Sequence, residues 1–193
     1  MQMNQSDAML TRCVPVCTRS YPLLMRVDTT ALAVEWALAF LGCARHLAPK
    51  PCIVLDIDGT VLLNRPCGES TCVLHFASLC AACAQNGIKI FCVTARPDDV
   101  GNRAYTLRQL EKCRIQPVEE VYMRPPEAGY ASYKYKARRT ITAAGFSILL
   151  SIGDQFADVT RHVPPPELTD DHIYIGQMGD SGQYAIKLRS EFA

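Results

Sequence analysis

Four acidic side chains follow short apolar segments of the sequence, at positions that a folded chain could bring together. Asp56 and Asp58 follow one such segment in VLDIDGTV, and Asp154 and Asp158 follow another in SIGDQFADV. Converging carboxylates repel one another, which raises their pKa values unless a cation neutralises them. Carboxylate oxygens suit Mg²⁺, which keeps coordination sites for water and phosphate. The acidic residues therefore predict a Mg²⁺ site that receives a phosphorylated ligand.

The spacing of the first acidic pair also suits phosphoryl transfer. A carboxylate such as Asp56 can attack phosphorus and form an aspartyl-phosphate. Asp58 stands two residues on, so it can project to the same side and protonate the leaving oxygen. Gly59 permits a tight turn directly after the pair. Thr94 and Arg96, a hydroxyl and a cation that could hold phosphate, follow another apolar segment. Lys134 and Lys136 stand at the start of the helical pattern that precedes residues 146–152.

Apolar segments and helical patterns alternate along the chain, which places these residues at strand ends. We expect strands over residues 52–55, 88–93, 118–123 and 146–152, and two more over 173–175 and 184–188. We expect helices over residues 29–46, 70–86, 98–113 and 133–144, and a short one over 155–162. This alternation predicts an α/β fold with a doubly wound, Rossmann-like parallel sheet, whose ligands bind beyond the carboxyl ends of the strands.

The motif DIDGT at residues 56–60 resembles the first motif of the haloacid dehalogenase (HAD)-like phosphohydrolases. Thr94 matches the second motif of that superfamily, Lys134 the third, and Asp154 with Asp158 the fourth. The segment from Lys134 to Asp158 is especially similar to the acid phosphatases related to plant vegetative storage proteins, the subfamily IIIB branch.

This resemblance implies a role for each matched residue. Asp56 would be the nucleophile and Asp58 the general acid/base, which also gives the metal its backbone carbonyl. The implied metal ligands are Asp56, Asp58 and Asp154, the phosphate-binding residues are Thr94, Lys134 and Gly59, and the supporting residues are Thr60, Arg96 and Asp158.

The lengths between the motifs leave no room for the cap domain that this superfamily often carries. One helix and one strand use most of the stretch between Asp56 and Thr94, and one helix and one strand again separate Thr94 from Lys134. Only residues 61–69 remain for a small flap. We therefore expect a capless active site that is open to solvent.

Three functions are compatible with these motifs. The leading hypothesis is a Mg²⁺-dependent phosphomonoester hydrolase that acts on a small phosphorylated molecule. The alternative is a polynucleotide end (3′-) phosphatase, which the open site would admit; the net charge of +1 argues against it, because binding to a nucleic acid backbone relies on Lys and Arg. A non-catalytic storage or binding protein on the same scaffold is the third, although Asp56 and Asp58 are intact.

Length and composition are those of a globular protein. The chain has 193 residues, of which 49% are hydrophobic and 20% charged, so disordered and coiled-coil classes are excluded. We expect an irregular segment over residues 1–28, with a short extended piece near its end, and a single domain over 29–193. Lys136, Arg138 and Arg139 are expected to form a solvated helix face. No apolar run is long enough to span a membrane, and no membrane partner is expected.

The ten cysteines are expected to be thiols. The polar start of the chain does not read as a secretory signal, which predicts a reducing, cytoplasmic compartment. Cys80 and Cys83 fall on the apolar face of a predicted helix, so we interpret them as core thiols. A zinc site that joins them to Cys67 and Cys72 is the alternative, although the spacing fits no usual zinc motif.

Overall fold

The predicted apolar segments become strands of one eight-stranded sheet in the computed structural model, which describes residues 14–16, 23–64 and 70–190. The strands are β1 Val14–Pro15, β2 Leu24–Val27, β3 Pro51–Leu55, β4 Leu62–Asn64, β5 Ser70–Cys72, β6 Lys89–Pro97, β7 Glu120–Arg124, β8 Ser147–Gly153, β9 Ile173–Gly176 and β10 Tyr184–Lys187. The helices are α1 Thr30–Ala44, α2 Leu74–Gln85, α3 Val100–Lys112, α4 Tyr130–Ala143 and α5 Phe156–Val159.

The main sheet has the strand order β1-β2-β9-β10-β8-β3-β6-β7. The strands from β10 to β7 in this order pair in parallel, whereas β9, β2 and β1 add to one edge in antiparallel pairs. The predicted α/β fold with a doubly wound parallel sheet is confirmed. Because β8, β3 and β6 are neighbours, the residues at their carboxyl ends share one edge of the sheet.

Strand β3 lies in the middle of the parallel sheet and is buried on both faces. Ile53 and Leu55 belong to the larger apolar core, which α1 and α2 cover, and Cys52 and Val54 pack on the opposite side with Ile141 of α4. Successive side chains of a strand point to opposite faces, so a run that is apolar throughout suits this central place.

Two of the helices begin at side-chain caps. The hydroxyl of Thr29 accepts a hydrogen bond from the backbone N–H of Leu32 at 3.2 Å, ahead of α1. The carboxylate of Asp99 accepts one from the backbone N–H of Asn102 at 2.8 Å, ahead of α3. Each cap satisfies an N–H group that the first helical turn leaves without a partner.

The short extended piece expected near the end of residues 1–28 is Leu24–Val27, which pairs along its length with β9. The structure departs from the expected elements at residues 70–72. Ser70–Cys72 is not the first turn of a helix, because it pairs with Leu62–Asn64 in a two-stranded hairpin. This hairpin is the expected small flap, and the residues between its strands lie outside those the structure describes. In the described part of the chain, no helix is both long and apolar enough to cross a bilayer.

The cysteines are not all thiols, since Cys72 and Cys113 form a disulfide. The bond joins β5 of the hairpin to the residue that ends α3, two elements that come together only in the folded chain. Cys80 and Cys83 are buried thiols, as expected, and burial raises the pKa of each to about 12. The alternative prediction of a zinc site that includes Cys72 is wrong, because Cys72 is bonded to Cys113. Cys67, another proposed ligand, lies outside the described residues.

We predict that replacing the bonded pair with Cys72→Ser and Cys113→Ser lowers the free energy of unfolding by about 3–4 kcal/mol, because the crosslink closes a loop across a separation of 41 residues. Urea unfolding of the oxidised protein and the double variant measures this difference. A non-reducing peptide map provides the control, and recovery of these two positions as free thiols would contradict the assignment.

Candidate active site

Three carboxylates meet at the carboxyl edge of the parallel sheet. Asp56 follows β3, Asp154 follows β8, and Asp158 lies in α5, which is separated from the end of β8 by two residues. One oxygen from each carboxylate lies within 4.8 Å of the others, and all three residues are buried. The structure thus brings together three of the four acidic residues singled out in the sequence.

A buried lysine stands between these carboxylates. The ammonium of Lys134, on α4, forms ion pairs with Asp56 and with Asp158, the latter at 2.7 Å. It also donates a hydrogen bond to the carbonyl oxygen of Val93 at 2.9 Å. Lys136, the other cation that opens this helix, is exposed. Lys134 is therefore the lysine that faces the acidic cluster.

The charges of the cluster do not balance. Burial, and then the charge of Asp158, raise the pKa of Asp56 well above its usual range, although Lys134 opposes this shift. Burial, and then Asp158, raise the pKa of Asp154 to about 6. Burial lowers the pKa of Lys134, but the charges of Asp56 and Asp158 raise it by more. The net pKa lies above its usual value, so the ammonium stays protonated. Three carboxylates thus share one buried cation.

This arrangement fits a divalent cation on two grounds. The donor atoms are carboxylate oxygens that lie close enough to share one ion, and oxygen ligands of this kind suit hard divalent cations such as Mg²⁺ and Ca²⁺. The excess of two negative charges over Lys134 is what a divalent ion would neutralise. The family resemblance also implies that the backbone carbonyl of Asp58 is a metal ligand. The carboxylate of Asp58 lies outside the acidic cluster.

The turn after β3 sets the position of Asp154. Gly59 has a φ of +77° and its N–H donates to the carbonyl of Leu62 at 2.7 Å. A Cβ atom built on Gly59 would lie 2.5 Å from Oδ2 of Asp154, so only glycine leaves room for that carboxylate. Gly59 had been expected to bind phosphate; its backbone here lies against Asp154. The hydroxyl of Thr60 donates to Asp56 at 3.3 Å.

The carboxylate of Asp58 pairs with Arg96 and does not belong to the acidic cluster. Two nitrogens of the guanidinium donate to its two oxygens at 2.8 and 2.7 Å, Asn64 donates at 2.9 Å, and Thr94 lies at 3.5 Å. Burial raises the pKa of Asp58, but the hydrogen bonds from Arg96 and Asn64 outweigh it and hold the pKa below its usual value. Arg96 also donates to Gln109 at 2.6 Å.

Three neighbours of the acidic residues were not found by reasoning from the sequence. Gln155 and Ser190 lie 3.3 and 3.4 Å from Oδ2 of Asp154, and the Tyr130 hydroxyl lies 3.4 Å from Asp158. Tyr130 precedes Lys134 by one helical turn, which is a spacing that could have identified it. Ser190 comes from the tail of the chain, where no local pattern points to the site.

The prediction that Arg138 lies on a solvated face of α4 is wrong. Its side chain is buried, pairs with Asp180 at 2.7 Å, and donates to the carbonyl oxygens of Ala157 and Asp158. It therefore fastens α5 to α4, and with it the backbone that carries Asp158. Lys136 and Arg139 on the same helix are exposed, as expected.

We predict that Mg²⁺ stabilises the wild-type protein and that Gly59→Ala abolishes this effect, because the added Cβ displaces Asp154. Gly87→Ala is the matched control: Gly87 also has a positive φ, +68°, but no atom lies within 4 Å of its Cβ position. Both variants should lose about 1–2 kcal/mol of stability from left-handed backbone strain. Thermal unfolding with and without Mg²⁺ measures the two effects, and an equal Mg²⁺ response in both variants would contradict the prediction.

We predict that Asp154→Asn increases the stability of the metal-free protein more at pH 7.5 than at pH 4.5. The pKa of Asp154 is about 6 in the folded state and 3.8 ordinarily, so its ionisation opposes folding increasingly as pH rises from about 4 to about 6. Urea unfolding in EDTA at both pH values, with Asp171→Asn as an exposed control, gives the difference. A difference from wild type that does not grow with pH would contradict it.

Solved structures with a similar fold include two of one protein. The class C acid phosphatase from Bacillus anthracis superposes with a TM-score of 0.57 at 21% sequence identity, covering 66% of this chain and 62% of that one. Its structure with tungstate bound matches with the same TM-score at 20% identity and the same coverage. The chain thus spans 62% of the length of that phosphatase. At this level of identity the similarity shows the fold, and no curated protein matches the chain in sequence.

A family model matches the sequence itself, over residues 67–175. The matched range holds Thr94, Lys134, Asp154 and Asp158, and it begins after Asp56 and Asp58. It covers more than half of the chain, in agreement with the motifs and with the sheet that carries them. The chain belongs to the HAD superfamily, subfamily IIIB (acid phosphatase).

Proposed function

We propose that this protein hydrolyses phosphomonoesters through an aspartyl-phosphate on Asp56, with Mg²⁺ as its cofactor. The observation that carries the proposal is the buried cluster in which Lys134 contacts Asp56 while Asp154 and Asp158 lie within reach of the same point. A nucleophilic carboxylate, a fixed cation and a second pair of oxygen ligands are the parts that phosphoryl transfer needs.

Asp56 attacks the phosphorus atom of the substrate, and the bond from phosphorus to the leaving oxygen breaks. The hydroxyl of Thr60 donates to one carboxylate oxygen of Asp56 and Lys134 pairs with the other, which fixes the orientation of the nucleophile. The ammonium of Lys134 and the hydroxyl of Thr94 stabilise the negative oxygens of the phosphoryl group. Thr94 is fully buried, so little water competes for its hydroxyl.

Asp58 donates a proton to the leaving oxygen, and its carboxylate then takes a proton from the water that hydrolyses the aspartyl-phosphate. Donation requires that Arg96 release the carboxylate, because the pair holds the pKa of Asp58 low. A doubly negative phosphoryl group competes with Asp58 for the guanidinium. Arg96 can thus exchange Asp58 for the substrate, in keeping with the substrate contact expected from the sequence.

The carboxylates of Asp56 and Asp154 and the backbone carbonyl of Asp58 would hold the Mg²⁺ ion, with Asp158 in support. When bound, the ion supplies positive charge that neutralises the carboxylates and the phosphoryl oxygens. The hydrogen bonds from Gln155 and Ser190 to Asp154 keep one of the ligands oriented.

We propose a small phosphorylated molecule as the substrate, because a net charge of +1 provides no overall attraction for a polynucleotide. The cytoplasmic compartment stays a prediction from the sequence, and the Cys72–Cys113 disulfide argues against it, since disulfides persist in oxidising environments.

Asp56→Asn should lower kcat for a generic aryl phosphate by at least about 10³-fold, as loss of one essential group does in enzymes whose active-site residues act together. Release of nitrophenol from 4-nitrophenyl phosphate measures the rate, with Mg²⁺ and after treatment with EDTA. Asp171→Asn, which alters an exposed carboxylate, is the control and should keep the wild-type rate. Equal rates in wild type and Asp56→Asn would exclude Asp56 as the nucleophile, and equal rates in EDTA would exclude the metal.

A further inference from the structure

A cavity of about 480 Å³ lies between the β4–β5 hairpin and helix α3. The helix lines it with Tyr105, Arg108, Gln109 and Lys112, and the hairpin lines it with Ser70 and Cys72. The four helical residues follow the spacing of a single helix face, so one side of α3 forms a continuous wall. The volume is within the range of pockets that hold small-molecule ligands.

Arg96 connects this cavity directly to Asp58. Its guanidinium donates to both oxygens of Asp58 and, through its remaining nitrogen, to Oε1 of Gln109 at 2.6 Å. The ring of Tyr105 lies 5.8 Å from the guanidinium carbon. One side chain, Arg96, therefore separates the cavity from the residue that would protonate the leaving oxygen.

The cavity is cationic. Arg108 and Lys112 are the charged side chains among its described lining residues, and neither forms an ion pair with a carboxylate of the described residues. Glu111, the acidic residue between them in sequence, is not among the described lining residues of this cavity; it lines a second depression that it shares with Arg108. Two cations one helical turn apart, with no described carboxylate opposite them, attract an anionic group.

The walls are crosslinked to each other. Cys72 belongs to the hairpin, and its disulfide partner Cys113 directly follows the last residue of α3. Gln109 also lies 3.3 Å from the hydroxyl of Ser70 across the cavity. A cavity that is held open in this way needs little ordering when a ligand binds.

We infer that this cavity is the leaving-group subsite, and that it selects phosphomonoesters whose leaving group carries a second anionic group. This inference rests on the proposed function. The phosphoryl group binds at Asp56 and Lys134, Asp58 faces the leaving oxygen, and the second anion pairs with Arg108 and Lys112.

Two esters of the same shape test the subsite: 4-carboxyphenyl phosphate, with an anionic leaving group, and 4-carbamoylphenyl phosphate, with a neutral one. The ratio of their kcat/KM values is measured in wild type and in the double variant Arg108→Gln, Lys112→Gln. Removing two solvent-accessible ion pairs should lower the ratio by about two- to thirtyfold, mainly through KM for the anionic ester. Loss of folded protein cancels, because both esters are measured on one preparation.

The matched control is Lys136→Gln with Arg139→Gln, which removes two exposed cations from α4, outside this cavity. It should keep the wild-type ratio, and raising the salt concentration should lower the ratio only where Arg108 and Lys112 are present. Turnover of both esters with the same ratio in wild type and the Arg108, Lys112 variant overturns the subsite alone. Failure of wild type to hydrolyse either ester overturns the proposed function and the subsite with it.

Discussion

The ion pairs of Lys134 are the interaction on which the rest of the site depends. An ammonium that is almost fully buried is stable only beside carboxylates, and Asp56 and Asp158 supply them from two separate parts of the sheet edge. Removing one partner from a buried pair of this kind generally costs about 3–5 kcal/mol, because the remaining charge is left uncompensated. Helix α4, strand β3 and helix α5 are therefore bound to one another through a single side chain.

The same cluster carries more negative charge than its surroundings neutralise. Burial and mutual repulsion raise the pKa values of Asp56 and Asp154, which means that folding without a metal works against these carboxylates. Close packing against glycine makes the approach sterically feasible: Gly59 admits Asp154, and a Cβ on Gly153 would clash with Asp158. The metal-free acidic cluster therefore lowers the stability of the fold. Functional sites that must bind a charged ligand commonly carry such a cost.

Local patterns were sufficient to predict the central strands and the acidic residues that follow them. Asp56 and Asp154 follow runs that are apolar throughout, and parallel strands bring such positions to one edge. Two of the errors involve partners distant in sequence. Arg138 is buried because Asp180 and the end of α5 pack against it, and Cys72 is not a free thiol because it is bonded to Cys113, 41 residues away. No window of neighbouring residues contains that information.

Asp58 differs from the other acidic residues because its environment is shared with the flap. Asn64 of β4 donates to it, Ser70 of β5 donates to Asn64, and Gln109 of α3 accepts from Arg96, which holds the same carboxylate. The hairpin and α3 thus reach Asp58 from two sides, and these are also the two walls of the cationic cavity. Gln109 lines the cavity and accepts a hydrogen bond from the guanidinium that pairs with Asp58. In the proposed mechanism, Arg96 therefore links the leaving-group subsite to the carboxylate that donates the proton.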